Sequence, residues 1–389
     1  MKLAVITNIL TPYRLPLFEH FAKSTKECTV LLQTEREENR AWRLPPVTFR
    51  IDVLPGFHLR PSGAEVSIHL NYGILQRLRR LQPDIVLSGG FAVANVTAYL
   101  YCKLFGKRYV QWGELTLMDG AEHSVLRRSI RRLLVGGADG YIASSQAARE
   151  AFIHYGADAD AILAATMPFE AEALHERVHM WRETFRSTPA HESYARPVLM
   201  SVGQLIPRKG FEELFAIYRE VNKVRPDVTL LIVGDGPCRE QYEKLTRRER
   251  WAHVRFLGHL QGDDLARCFA LADLFVFPTR YDAYGLVLAE AMAAELPVLS
   301  SLYAVATRDL VDEGTTGFAI EPEKTTESSN TLLKVLAMSD ERRHAIGRAA
   351  YARVRSCDTG PTADRMVRFL RAIVYGVRPN GQGVAQSFQ

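Results

Sequence analysis

Short runs of consecutive apolar residues recur along this chain, each followed by an amphipathic stretch of helical length. Residues 2–8 (KLAVITN), 28–32, 84–87, 108–112 and 140–143 read as strands, and residues 14–23, 68–81, 91–105, 124–135 and 145–155 read as helices. Unbroken apolar runs belong to strands covered on both faces. Strands alternating with helices of ten to fifteen residues build βαβ units and a parallel sheet. Between about residues 169 and 197 the alternation stops, and EAEALHERVHMWRETFRSTPAHESYARP is polar and strand-free. We read this stretch as a connection carrying some helix. The alternation then restarts. Strands are expected at residues 198–202, 228–233, 254–257, 274–277 and 298–300, and helices at 210–224, 238–248, 263–271, 285–294, 326–338, 340–356 and 361–375. The last helix carries an apolar stripe of Met366, Phe369, Leu370 and Ile373, and the tail beyond Gly376 is expected to be disordered.

A chain of 389 residues exceeds what one core usually serves, so the repeated pattern is read as two doubly wound α/β halves. The five cysteines lie far apart and form no C-x-x-C pair, which argues against a zinc ribbon or a dithiol and fits a reducing compartment. The first residues lack a long apolar core and a small-residue cleavage site, and no run approaches the roughly 18 apolar residues of a membrane span. Residues 1–168 carry 20 Lys and Arg against 15 Asp and Glu, whereas the remainder carries 29 against 29. The net charge of +5 therefore resides in the first half, as a surface meeting something anionic would have it, although a solvated surface gives the same count.

Three segments of the second half carry chemistry. In SVGQLIPRKGF, residues 201–211, a strand ends near Gly203 and a loop brings Arg208 and Lys209 to the mouth of a helix. Adjacent cations at such a junction suit a diphosphate. The order Lys-Gly excludes a Walker A loop, and a solvated basic loop remains the plainer reading. In LLIVGDGP, residues 230–237, Gly234 and Gly236 release a strand into a turn. Arg239 stands where a dinucleotide fingerprint needs its third glycine. In PTRYDAYGLVLAEAMAAELPVLSS, residues 278–301, Asp282 lies in a loop and Glu290 lies in an otherwise apolar helix. The N–H groups of Tyr284, Gly285, Leu286 and Val287 at that helix start suit an anion. The carboxylates suit sugar hydroxyls. Asp158-Ala159-Asp160 has the form of a D-x-D metal motif, but it lies in a helix-to-strand connection of the first half, and no other His/Asp cluster is read as having metal-site spacing.

These segments, together with VRFLGHL, LADLFVFPTRYDAYGLVLAEAM, PVLSS and VDEGTTGF in that order over residues 197–355, resemble the retaining glycosyltransferases of the GT-B fold, group 1 or family 4. Asp282, seven residues, Glu290 stands where the family has Glu, seven residues, Glu. TNILTPYRLPLFEHF is similar to a subgroup that opens with a Pro-Tyr-Arg turn. WGELTLMDG occupies the region where many members carry a His, and here holds Glu114 instead.

The resemblance implies two Rossmann-like domains facing each other across a cleft: an acceptor domain at 1–170, a connection at 171–196 and a nucleotide-sugar donor domain at 197–360, with helix 361–376 packing back on the first. It assigns Arg208 and Lys209 to the diphosphate, Glu290 to the ribose, Asp282 to the donor sugar and Gly285, Leu286 and Val287 to phosphate. Gly258 and His259 pass the base, Gly203, Gly234 and Tyr284 line the donor side, and Tyr13, Arg14 and Glu114 are acceptor-side candidates. The implied reaction moves a hexose-type sugar with retention from a nucleotide sugar, UDP-linked first and GDP-linked second, to a hydroxyl of a glycan, a lipid-linked acceptor or a small molecule. No metal or other cofactor is implied, because the cations and the helix N-terminus meet the leaving-group charge. The implied setting is cell-surface polysaccharide or glycolipid synthesis in the cytoplasm or on the cytoplasmic membrane face, with no nucleic-acid partner. An inactive nucleotide-sugar-binding subunit and an epimerase of the same fold are the alternatives. In residues 124–135, Leu126, Ile130, Leu133 and Leu134 share one helical face and Arg127, Arg128, Arg131 and Arg132 another. Such a helix can lie on anionic lipid, and a core-packed helix with a solvated basic face is the plainer reading.

Overall fold

The apolar runs form strands buried on both faces, in two separate parallel sheets. The computed structural model describes residues 1–37, 42, 44–59, 68–119, 124–187 and 194–376. The chain divides into two units, Met1–Glu170 with the chain from Cys357 onward, and Ala171–Ser356.

The first unit runs β1 (Lys2–Thr7), α1 (Leu15–Ser24), β2 (Glu27–Leu32), β3 (Arg50–Val53), β4 (Gly56–Leu59), β5 (Ile68–Asn71), α2 (Ile74–Leu81), β6 (Ile85–Gly89), α3 (Val93–Leu104), β7 (Arg108–Gly113), α4 (Val125–Gly136), β8 (Gly140–Ala143), α5 (Gln146–His154) and β9 (Ile162–Ala164). Its main sheet has the order β3-β2-β1-β6-β7-β8-β9. The connections diverge between β1 and β6, and in such sheets ligands gather beyond the carboxyl ends at this switch point.

The second unit runs α6 (Ala171–Arg186), β10 (Val198–Val202), α7 (Phe211–Val224), β11 (Thr229–Val233), α8 (Arg239–Arg248), β12 (Val254–Gly258), α9 (Asp263–Leu271), β13 (Leu274–Phe277), α10 (Leu286–Ala293), β14 (Val298–Ser301), α11 (Val305–Leu310), β15 (Phe318–Ile320), α12 (Thr325–Leu336) and α13 (Asp340–Val354). Its sheet has the order β12-β11-β10-β13-β14-β15. The switch point lies between β10 and β13, which pair in parallel with Leu199 opposite Leu274. The two loops singled out in the sequence therefore leave adjacent strands.

The last helix, α14 (Thr359–Tyr375), belongs to the first unit. Its Ala363, Met366, Val367, Phe369, Leu370 and Ile373 join the core formed by Leu3, Val5, Phe18, Val110 and Ile142. At about 1.5–3 kcal/mol for each large apolar side chain fully buried, this stripe contributes on the order of 10 kcal/mol. β8 admits the helix by carrying Gly140, where a Cβ would stand 2.5 Å from Ile373 Cδ1.

Several expectations need correction. Residues 68–81 are not one helix. Ile68–Asn71 pairs antiparallel with Gly56–Leu59, and only Ile74–Leu81 is helical. Residues 68–71 alternate exposed and buried, the two-residue period of a strand. Strands β3, β4, β9 and β15 and helix α11 were not foreseen; each is six residues or fewer. Ala171–Arg186, read as part of a connection, forms the helix α6 within the second unit, against α9 and α10. In α4 the apolar face is split: Leu134 is buried and Ile130 packs against the core, but the other two residues are outside. Leu126 is 69% and Leu133 47% exposed, while Arg131 is buried, over the rings of Phe91 and Tyr155 and donating to Tyr155 Oη at 3.2 Å. The aromatic neighbours draw this arginine inside. Asp158 accepts from the Asp160 N–H at 3.0 Å and so caps its own turn. The tail beyond Gly376 lies outside the described residues.

Candidate functional site

The loops leaving β10 and β13 are stitched together backbone to backbone. Arg280 N–H donates to Arg208 O at 2.9 Å, and Thr279 Oγ1 donates to the same carbonyl at 3.1 Å. Arg208 returns a bond from its guanidinium to Tyr281 O at 2.8 Å. Gly210 has φ +71°, and a Cβ there would stand 1.9 Å from Pro278 O. No other residue lets the first loop enter its helix so close to the second.

This contact brings Lys209 and Asp282, 73 residues apart in sequence, into an ion pair. Both side chains are largely buried, with 16% and 17% exposure. The Lys209 ammonium lies 5.7 Å from the centre of the Phe277 ring. Asp282 is pinned through its backbone as well, donating to Tyr303 O at 3.2 Å and accepting from Val305 N–H at 3.2 Å. The expected diphosphate cation and the expected sugar carboxylate thus hold each other.

α10 starts beside this pair. Gly285 caps it in the left-handed region at φ +95°, where a Cβ would stand 2.8 Å from Phe277 Cε1. Leu286 and Val287 remain partly exposed at the first turn, whereas Tyr284 is buried. Glu290 is the one charged residue of α10. It retains some access to solvent, yet protein surrounds its carboxyl. This desolvation pushes it up to about 7, against the downward pull of Arg177 on α6. Arg177 was missed in the sequence because it approaches from a helix 113 positions away, with no local motif to announce it.

Three of the glycines assigned to donor binding pack the floor. Gly234 has φ +135°, and a Cβ there would stand 1.9 Å from Gly203 O; Gly234 N–H donates to Gly258 O at 2.7 Å. Gly203, Gly234 and Gly258 therefore serve first as close backbone contacts between three successive loops. His259 is exposed beyond them.

In the first unit, Arg14 sits past the carboxyl end of β1. Its guanidinium donates to Thr7 Oγ1 at 3.0 Å and to Glu114 Oε1 at 2.8 Å, and it lies 4.7 Å from the Trp112 ring centre and 5.7 Å from that of Tyr13. Burial alone would lower its basicity; Tyr13 and Glu114 reverse that, and the group is held above its usual value. Tyr13, Arg14 and Glu114 thus form one cluster.

His175 and His179, four residues apart on α6, meet Glu295 beyond the end of α10. The sequence reading for metal spacing passed over this pair, and its third member lies 116 residues from His179.

Residues 186–353 match the family of Glycosyl transferases group 1. Over these residues the chain is similar to the group 1 glycosyl transferases. A sulfoquinovosyl transferase of Arabidopsis thaliana is 34% identical over 158 residues, 40% of this chain and 29% of that protein. A GDP-mannose-dependent monoacylated α-(1-6)-phosphatidylinositol monomannoside mannosyltransferase of Corynebacterium glutamicum is 33% identical over 168 residues, 41% of this chain and 42% of that protein. The matched stretches thus span less than half of these two relatives. HepE of Anabaena, solved with UDP, superposes with a TM-score of 0.72 at 18% identity, covering 96% of this chain and all of that one. The chain has the α/β fold of two Rossmann-like units that was expected as GT-B. No described helix is long and apolar enough to cross a membrane.

Proposed function

We propose that the chain is a retaining glycosyltransferase that moves a hexose-type sugar from a nucleotide sugar, UDP-linked in the first instance, to an acceptor hydroxyl. The observation that carries this reading is the junction of the β10 and β13 loops, which gathers Arg208, Lys209 and the open first turn of α10 at one switch point. HepE, which shares the fold, was solved with UDP and with UDP-glucose. The mannosyltransferase relative is by name GDP-mannose-dependent, so a GDP-sugar is the second donor to test.

In the proposed reaction the bond between the anomeric carbon and the diphosphate oxygen breaks, and the acceptor oxygen bonds to the same face of that carbon. The acceptor's proton passes to the departing phosphate oxygen. Arg208, Lys209 and the N–H groups of Gly285, Leu286 and Val287 meet the growing negative charge with dipoles already in place, so no catalytic metal is needed. A diphosphate arriving at Lys209 takes over part of the role Asp282 plays in the free protein. Asp282 is then available to accept from a hydroxyl of the sugar, and Glu290 from the ribose. Tyr13, Arg14 and Glu114 are proposed for the acceptor.

The proposed acceptor is a glycan, a small molecule or a lipid-linked sugar in cell-surface polysaccharide or glycolipid synthesis. For a lipid-linked acceptor, exposed Val125, Leu126 and Leu133 on α4, beside Arg127, Arg128 and Arg132, are the surface to meet an anionic membrane on its cytoplasmic side. The reading is tested by thermal shift against UDP-, GDP- and ADP-sugars, since a ligand at 100 times its dissociation constant adds about 2.7 kcal/mol. Transfer assays follow with the donor that binds. Binding without transfer or donor hydrolysis points instead to a nucleotide-sugar-binding subunit, and interconversion of the free donor points to an epimerase.

A further inference from the structure

We propose that His175, His179 and Glu295 form a binding site for a divalent transition-metal ion, zinc by the nature of the donors, separate from the diphosphate loops. One ligand-capable atom from each of the three side chains lies within 4.8 Å of the other two. The histidines stand at i and i+4 on α6, the spacing that puts two rings on one helical face. Their ring centres are 4.3 Å apart. Two imidazoles and a carboxylate are a donor set suited to zinc, which leaves at least one position for water.

The surroundings fit a ligating histidine. The Nδ1–H of His175 donates to Ala293 O at 3.1 Å, the kind of contact that fixes the tautomer of a metal-bound imidazole, and Nε2 keeps the lone pair. The ring lies flat on Tyr351 at 3.7 Å, which holds its orientation. His179 Nε2 lies 3.2 Å from Glu295 Oε2. Zinc at about 2.0–2.2 Å from each ligand draws tetrahedral donors to about 3.4 Å apart. His179, 45% exposed, is free to rotate toward that geometry.

The backbone adds a separate observation. Glu295 occupies a left-handed position, φ +53°, just past α10, where glycine or asparagine is the usual residue. A glutamate there carries a conformational cost of about 1 kcal/mol. A demand on its carboxylate accounts for its presence. One feature opposes the metal: the Arg182 guanidinium, which donates to Ala294 O, lies 3.7 Å from Glu295 Oε2. Affinity is therefore held down, and removal of that cation should raise it. A bound ion would clamp α6 to the end of the helix that carries Glu290.

The experiment loads the chelator-stripped full chain with Zn2+ or Co2+. Calorimetry and metal content should give one Zn2+ per chain, Zn2+ should raise the melting temperature, and Co2+ should develop the visible absorption of nitrogen coordination. His179→Ala should weaken binding at least tenfold, and Arg182→Gln should tighten it. Glu295→Gly removes the carboxylate and relieves the backbone, so it should weaken zinc binding in a chain that still melts cooperatively when metal-free. The proposal is overturned if zinc uptake is not saturable, or if His179→Ala and Glu295→Gly bind as the parent does, an adventitious ion only. Neither result depends on transfer activity, so this proposal and the reaction can fail separately.

Discussion

Each unit of this molecule ends its parallel sheet in a cation held by a carboxylate, and the two pairs are built differently. Arg14 in the first unit is fixed from several sides: Thr7 and Glu114 take its hydrogens, and the Trp112 and Tyr13 rings lie beside it. Lys209 in the second unit has Asp282 and the Phe277 ring beside it. A guanidinium is a rigid planar fork, whereas an ammonium is a point charge on a flexible stem. The first pair is suited to hold a shape, and the second to exchange one anion for another. The proposed diphosphate site calls for the second kind.

The contrast is broken most directly at Lys209. Lys209→Ala should lower turnover at saturating donor by about 10²–10³, the usual loss for one fixed stabiliser of developing charge, an effect far larger than its loss of stability. Unchanged turnover would sink the assignment. Arg14→Ala should differ in kind, costing stability as well as acceptor use. It removes the Glu114 ion pair and should lower unfolding free energy by about 1–3 kcal/mol in a denaturant titration. An Arg14 variant as stable as the parent would remove the first half of the comparison.

The two carboxylates sharpen it further. Asp282→Asn should leave affinity for the bare nucleoside diphosphate intact or raise it, because Lys209 loses a competitor, yet transfer should fall. Glu290→Gln should weaken the diphosphate and the nucleotide sugar alike. Calorimetry of both variants with the bare diphosphate decides this, and the reverse pattern shows the roles exchanged.

Glu290 also sets a pH dependence. Its carboxyl is raised to about 7 by burial, so the folded free protein holds this proton more tightly than the unfolded chain. The sign follows: this group contributes to stability below the unfolded value near 4.5, and that contribution is lost as pH rises through about 7. Ribose hydroxyls donate to the ionised form, so nucleotide binding should release a proton and tighten as pH rises through 7, by up to tenfold per pH unit. Calorimetry in buffers of different ionisation enthalpy measures the proton, and Glu290→Gln should abolish it. The smallest effect is expected from chelation. Transfer should survive excess EDTA, and complete loss restored by magnesium or manganese would show a metal in the reaction itself.

Much of this was legible in the sequence, for a physical reason. Val198–Val202, Asp263–Leu271 and Leu274–Phe277 were read with the boundaries they have, because a strand covered on both faces must be apolar throughout and a helix between such strands needs one apolar stripe. The site loops were legible because their chemistry is local: Arg208, Lys209 and Gly210 are consecutive. Short strands of three or four residues such as β9 and β15 were not, since so few residues show no period. The pairing of Lys209 with Asp282, the approach of Arg177 to Glu290 and the meeting of His179 with Glu295 arise only when distant segments pack, and no window of the sequence contains both partners. Arg131 teaches the same point on one helix. Its wheel displays the two faces, but the rings of Phe91 and Tyr155 draw one arginine inside beside Leu134.

The return of α14 to the first unit reverses the order in which the chain can mature on the ribosome. Domains generally fold as units, the earlier ones first during synthesis. Here residues 171–356 emerge as an uninterrupted block, able to complete their core while translation continues. The earlier half must wait, with the surface meant for Phe369, Leu370 and Ile373 uncovered, until the final helix leaves the exit tunnel. A stop codon a few dozen positions early would therefore spare the loops after β10 and β13 and expose the half that was made first, and a chaperone attending this protein would find its target near the beginning of the message.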